Sequence, residues 1–164
     1  MESYNKIFTY PVIYKYIFRY GNIPATILLV MYLVVSVIGV DRELINLLPI
    51  IITLLMIYFL NKGYLNLYKL MPYKIVTDEE KMICSSFLFR KKDMVIYYED
   101  IDSLSGGIFD GSLRGIMKVC DGKSKMCIGY YNKIKNSQTL NTIILSKIKR
   151  SVYDEVLQKT GIKK

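Results

Sequence analysis

Two apolar segments, residues 23–40 and 44–60, lie almost back to back in this chain, interrupted only by Asp41, Arg42 and Glu43. Each is about as long as the shortest helix that crosses a hydrocarbon core of about 30 Å. Backbone N–H and C=O groups in lipid have no water to bond, and a helix satisfies them within the segment. The pattern therefore predicts two antiparallel membrane-spanning helices, residues 23–60, joined by a tight turn. Pro24 falls in the first turn of the first helix and Pro49 near the start of the second, where neither breaks a span. Asn46 and Thr53 are the candidates for interhelical hydrogen bonds. No charged residue sits mid-span, so nothing indicates a proton relay or an ion path.

Lys6, Lys15 and Arg19 precede the first span and Lys62, Lys69 and Lys74 follow the second, whereas the turn carries one arginine against two acids. The positive-inside rule then predicts a multi-pass cell-membrane protein with both termini cytoplasmic. Residues 2–22 interleave Tyr4, Phe8, Tyr10, Tyr14, Tyr16, Phe18 and Tyr20 with cations, a composition suited to the headgroup layer. Residues 1–22 thus read as an interfacial segment anchored by Lys6, Lys15, Phe18, Arg19 and Tyr20, divided at Pro11, with a short helix over residues 12–20. A flexible aromatic-rich tail is the alternative. The late start of the first apolar run, the lack of an A-x-A-like site and the immediate second run argue against a cleaved signal peptide. The net charge of +9 calls for an anionic neighbour, and the cytoplasmic leaflet supplies one. Nucleic acid would also serve, but no basic-helix signature, stacking motif or zinc-ligand set supports it, so no nucleic-acid partner is expected.

Residues 61–72 form a juxtamembrane linker that extends the second helix or bends along the interface, and Pro72 marks the boundary of a domain over residues 73–164. There the periodicity becomes that of strands, over residues 73–77, 81–86, 94–98, from 101 to 104, 115–120 and 125–130. Asp121-Gly122 is the strongest hairpin signal, because Asp-Gly supplies the positive φ angles of a type I′ turn. This spacing predicts a small antiparallel barrel or sandwich. After Asn136-Ser137, N-cap candidates, Leu140, Ile143, Ile144, Ile148, Val152 and Val156 recur at helical intervals up to Gly161. One long amphipathic helix capping the barrel is predicted, with a break near Ser151 as the variant.

Strands followed by one amphipathic C-terminal helix is the layout of a pleckstrin-homology-like (PH-like) domain. Two stretches resemble the bacterial PH-like family found behind membrane hairpins: Tyr73-Lys74-Ile75-Val76-Thr77-Asp78-Glu79 is similar to its opening hairpin, and Ile96-Tyr97-Tyr98-Glu99-Asp100-Ile101 to its aromatic-acidic strand-to-strand turn. The resemblance covers roughly residues 65–160, and the C-terminal helix departs from the family in being longer and more basic. It implies a membrane α-helical hairpin plus an α+β domain, and a membrane-anchored, non-catalytic binding or scaffold module. The partner would be anionic membrane lipid, another protein or a second copy. Some small members resemble immunity proteins against membrane-active bacteriocins, and an accessory subunit of a transporter or enzyme complex is a further alternative.

The chemistry on offer is sparse. There is no histidine, hence neither the commonest general base nor the commonest catalytic metal ligand. Cys84, Cys120 and Cys127 are odd in number and lack CxxC spacing, which argues against a disulfide framework and a zinc site. They read as small buried hydrophobes in a reducing cytosol. No catalytic residue, metal ligand or cofactor is assigned, and no GxSxG, HExxH or GxGxxG occurs. The lipid- or anion-binding candidates are Arg90, Lys91 and Lys92, with Lys118, Lys123 and Lys125 as a second basic edge; solvated turns are the bland alternative. The terminal run Lys147, Lys149, Arg150, Lys159, Lys163 and Lys164 equally suits the polar face of the helix. Glu99, Asp100 and Asp102 read as turn residues. Phe109 is either an exposed contact or a plug for the barrel end.

Overall fold

The computed structural model describes residues 5–39, 47–89, 92–112 and 114–161. In chain order the elements are β1 (Lys6–Thr9), α1 (Val12–Tyr20), α2 (Asn22–Ile38), α3 (Leu48–Leu70), β2 (Lys74–Thr77), β3 (Lys81–Ser85), β4 (Met94–Tyr97), β5 (Ile101–Ser105), β6 (Ile116–Asp121), β7 (Met126–Tyr131), α4 (Ser137–Lys147) and α5 (Arg150–Thr160). Strands β1 to β4 form one antiparallel sheet in sequential order, and β5 to β7 a second. The class is α+β. Among the described residues no ladder joins the two sheets into a closed barrel.

The first strand is a correction. Residues 1–22 do not form one interfacial segment, because Lys6–Thr9 pairs with β2 and carries Phe8 and Tyr10 into the core. Aromatic side chains alternating with polar ones satisfy either the headgroup layer or a half-buried strand. The β2 edge decides between them, offering β1 a ladder and an apolar face. The inward register row Phe8, Ile75, Cys84 and Met94 crosses all four strands and is buried. The outer row Ile7, Val76, Ile83 and Val95 shows the complementary face.

Two compact units result, one from the described residues of Met1–Tyr14 with Lys69–Lys164, the other Lys15–Tyr68. The boundary at residue 72 is thereby revised, since the β unit is discontinuous and the helices are inserted between β1 and β2. In the β unit the three-stranded sheet adds Leu104, Met117, Val119, Ile128 and Tyr130 to the core. Each such side chain contributes about 1.5–3 kcal/mol when fully buried. The Tyr130 hydroxyl donates to Asn141 Oδ1 at 2.7 Å and ties β7 to α4. Phe109 is fully buried, so it is not an exposed contact.

The C-terminal stripe is divided between α4 and α5, because Ile148 and Lys149 adopt extended ψ values of 165° and 143°. The break comes at these residues, ahead of Ser151. Leu140 and Ile144 are buried from α4, Val152 and Val156 from α5. Asn136 sits at the N-cap with φ 56° but makes no side-chain cap bond. The turn after β6 also differs from expectation. It is a four-residue connection in which Lys125, at φ 52°, takes the left-handed conformation that was expected of the Asp-Gly pair. At Gly122 a Cβ would come within 3.0 Å of the exposed Asp102 carboxylate, which would have to give by a few tenths of an ångström.

In the helical unit, α1 and α2 are bent by 42° about Gly21, where a Cβ would meet the Ile17 carbonyl and the Tyr64 hydroxyl at 2.5 and 2.6 Å. Helix α3 has 23 residues and absorbs most of the juxtamembrane linker, extending the second apolar segment. It is long and apolar enough to cross a membrane, and the bent pair α1 and α2 passes the same test jointly. The turn at Asp41, Arg42 and Glu43 lies outside the described residues, as does Asn46.

Candidate functional site

Of the first basic cluster, Arg90 and Lys91 lie outside the described residues, and Lys92 is exposed between β3 and β4. The second cluster does not form a basic edge. Lys123 Nζ lies 2.7 Å from Asp100 Oδ1, and that hydrogen bond and charge raise its pKa. Burial alone would raise the Asp121 carboxyl, but the Ser124 hydroxyl, the Ser124 and Lys123 amides and the Lys123 charge outweigh it and hold it low. Lys118 is exposed on β6 and Lys125 in the turn, so this corner carries both signs of charge.

A different set of cations converges at the opposite end of the four-stranded sheet. Thr9, Lys74 and Ser85 form its terminal register row. Just beyond that row the chain leaves for α1 and returns from α3, and the loop of residues 86–93 joins β3 to β4. The segment after β7 closes on the same end: the Lys135 amide donates to the Thr9 carbonyl at 3.0 Å, and the Tyr131 amide to Tyr10 Oη at 2.8 Å. Lys133 Nζ stands 5.6 Å from the Tyr14 ring centroid. This end exposes Lys74, Lys92, Lys133, Lys135 and Phe89, the last 59% exposed. Asp93 is the one carboxylate among the described residues of these bordering segments.

The far end of the same sheet gathers acids together with Lys6, Lys81, Lys123 and Lys147. The turn after β2 carries Asp78, Glu79 and Glu80, and Glu99 and Asp100 follow β4, the Tyr98 amide donating to the Glu80 carbonyl at 3.0 Å. Glu79, Glu80, Glu99, Tyr97 and Tyr98 line a cleft of about 480 Å³ with Lys147. Lys147 Nζ donates to the Asp78 and Glu79 carbonyls at 2.9 and 2.8 Å and lies over the Tyr98 ring, so the cleft supplies its own cation. Of the acids nominated from sequence, Asp100 pairs with Lys123, and its carbonyl accepts from the Gly122 amide at 2.9 Å.

Within the helical unit the cross-helix bonds fall on residues that sequence reasoning passed over. Asn61 Oδ1 accepts from Asn22 Nδ2 at 3.0 Å, and Asn61 Nδ2 donates to Thr26 Oγ1 at 3.1 Å. The Tyr68 hydroxyl lies 2.6 Å from Asn22 Oδ1 and 2.9 Å from the Arg19 carbonyl. Thr53 instead donates to Pro49 within its own helix, at 2.7 Å. Of the predicted interfacial anchors, Lys15, Phe18, Arg19 and Tyr20 are on α1, where the Arg19 guanidinium stands 5.5 Å from the Tyr20 ring centroid. Lys6 belongs to β1 and is removed from that set.

The cysteine reading is overturned for two of three residues. Cys120 and Cys127 are register partners on β6 and β7 with Cα atoms 4.1 Å apart, and they form a disulfide. Their separation of seven residues is legible in the sequence, but only the register of the hairpin makes them opposite. Cys84 is a buried free thiol whose pKa burial pushes well up. Among the described residues no group of three or more Cys, Asp or Glu side chains is placed to hold a metal ion. No family model, curated protein or solved structure matches the chain.

Proposed function

We propose that this chain is a membrane-anchored, non-catalytic binding module of the PH-like type, held by its helices at the inner leaflet to engage anionic lipid or a protein partner. The observation that carries the reading is the insertion of apolar helices into a strand pair. Thr9, two residues before Pro11-Val12, is the register partner of Lys74, and the elements between them among the described residues are helical. An insertion that leaves and returns at partnered positions suits an even number of membrane crossings. Leu28, Val35, Leu54 and Phe59 are among many exposed apolar side chains on α2 and α3, and 6% of the α3 apolar window is buried. Such surface is unfavourable in water and favourable in lipid. Seven strands followed by C-terminal helices support the PH-like type, with a closed barrel as its finer form.

The cations flanking the apolar segments support a cytoplasmic β unit. The Cys120–Cys127 bond weighs against it, because disulfides persist mainly in oxidising compartments. Washing native membranes with alkaline carbonate tests the anchor: the chain stays with the membrane, and release into the wash overturns the reading. Labelling reduced intact cells with a membrane-impermeant maleimide tests the orientation. Cys120 and Cys127 label only after lysis; labelling from outside reverses the topology.

A further inference from the structure

We propose that the Thr9–Lys74–Ser85 end of the four-stranded sheet is a docking face for an anionic phospholipid bilayer, with Phe89 entering the interface and Lys74, Lys92, Lys133 and Lys135 facing lipid phosphates. The proposal rests on the membrane-anchor reading and goes beyond it by naming the face and by assigning it to lipid in place of a protein partner. Three observations carry it.

The first is convergence. Four cations and an exposed aromatic ring come from three separate segments, and the Lys135–Thr9 and Tyr131–Tyr10 hydrogen bonds hold the last of these in place. The second is charge complementarity. This end carries Asp93 as its acid, whereas at the other end of the sheet Asp78, Glu79, Glu80, Glu99 and Asp100 are interleaved with Lys6, Lys81, Lys123 and Lys147. A unit with net positive charge at one end and nearly balanced charge at the other is oriented with its basic end toward an anionic surface.

The third is reach. From Thr9 to the first residue of α1 is three residues, and from the last residue of α3 to Lys74 is four. Extended chain of those lengths spans at most about 10 and 14 Å. With the helices in a bilayer, this end stays close to a headgroup layer about 5–8 Å thick. That range is comparable to the screening length of about 8–10 Å at physiological salt. Lysine stems and a phenylalanine ring suit that layer, the cations in the headgroups and the ring among the upper acyl carbons.

The chain contains no tryptophan, so Phe89→Trp introduces a single reporter at an exposed position. Tyr97→Trp, also exposed but at the other end of the sheet, serves as the control. The full chain is reconstituted in vesicles of phosphatidylcholine alone or with phosphatidylglycerol, some carrying a quencher just below the headgroups. The Phe89→Trp emission is expected to shift to the blue and to be quenched when phosphatidylglycerol is present, and to revert at high salt. The Tyr97→Trp emission stays that of an indole in water. Each of Lys74→Gln, Lys92→Gln, Lys133→Gln and Lys135→Gln weakens docking about fivefold, equivalent to about 1 kcal/mol per cation.

Emission indifferent to lipid composition overturns the proposal. So does a shift produced in detergent by inorganic phosphate alone, which marks a soluble-anion site, or one seen only in native membranes, which marks a protein partner. Vesicle flotation separates the two levels of failure. A chain that floats while the reporter is indifferent loses the docking face but keeps the anchor; a chain that does not float loses the anchor.

Discussion

The Asp121 carboxylate accepts from the Ser124 hydroxyl and from the Lys123 and Ser124 amides, at 2.7, 2.8 and 3.3 Å. Asp121→Ala therefore leaves two turn amides without their acceptor, and chemical denaturation should register a loss of about 1–3 kcal/mol. The pH dependence has a defined sign. A carboxyl held below its unfolded value of 3.8 adds stability above that value, and the contribution is lost as pH falls through the folded value. The gap between wild type and Asp121→Asn should be constant above about pH 5 and narrow below about pH 4. At the opposed pair, replacing Cys120 and Cys127 together by serine should lower oxidised-state stability by about 2–3 kcal/mol for so short a loop. Melting with reductant should abolish the difference, since the β6–β7 ladder supplies the register without the bond.

Asn61 links α3 to α2 through Asn22 and Thr26, and Tyr68 adds the end of α1. Away from water such bonds are worth about 0.6–2 kcal/mol each. Asn61→Leu should lower the thermal stability of the detergent-solubilised chain by about that amount per bond removed. Thr53→Ala should cost less, about 0.8 kcal/mol for the buried methyl it removes, because its hydroxyl bonds Pro49 in its own turn. A larger effect of Thr53 would reverse this assignment of the helix contacts. In sequence the two positions look alike, as polar residues in or beside apolar runs. Which of them bonds across helices depends on the rotation and stagger of the helices, and these are tertiary quantities.

For the molecule as a whole, the decisive element is β1. Phe8 is almost fully buried against Ile75, and deleting a buried aromatic side chain costs about 3–5 kcal/mol. Phe8→Ala should unfold or strongly destabilise the β unit, read as protease sensitivity of the C-terminal strands at constant membrane retention. An interfacial segment would show the converse, weaker membrane association with the strands intact. The neighbouring Ile7→Ser, at 60% exposure, should change stability little. The β unit therefore requires chain from both sides of the helical insertion.

The strands after residue 72 were legible almost to the residue, because short apolar-rich runs, several of them alternating, lie between turn formers such as Asp78-Glu79-Glu80 and Gly106-Gly107. The helices α1, α2 and α3 were legible from apolar runs and Pro11, Pro24 and Pro49. Periodicity and composition are local, and a single segment expresses them. Pairing is not local. The ladder that captures Lys6–Thr9, the register that opposes Cys120 and Cys127, and the closure of Lys135 on Thr9 join positions far apart in the chain or depend on a turn whose form was not encoded by its Asp-Gly pair. The candidate docking face belongs to this second kind. Lys92 was visible as part of a charge cluster, but Lys74, Phe89, Lys133 and Lys135 became one surface only when the sheet brought their loops to the same end.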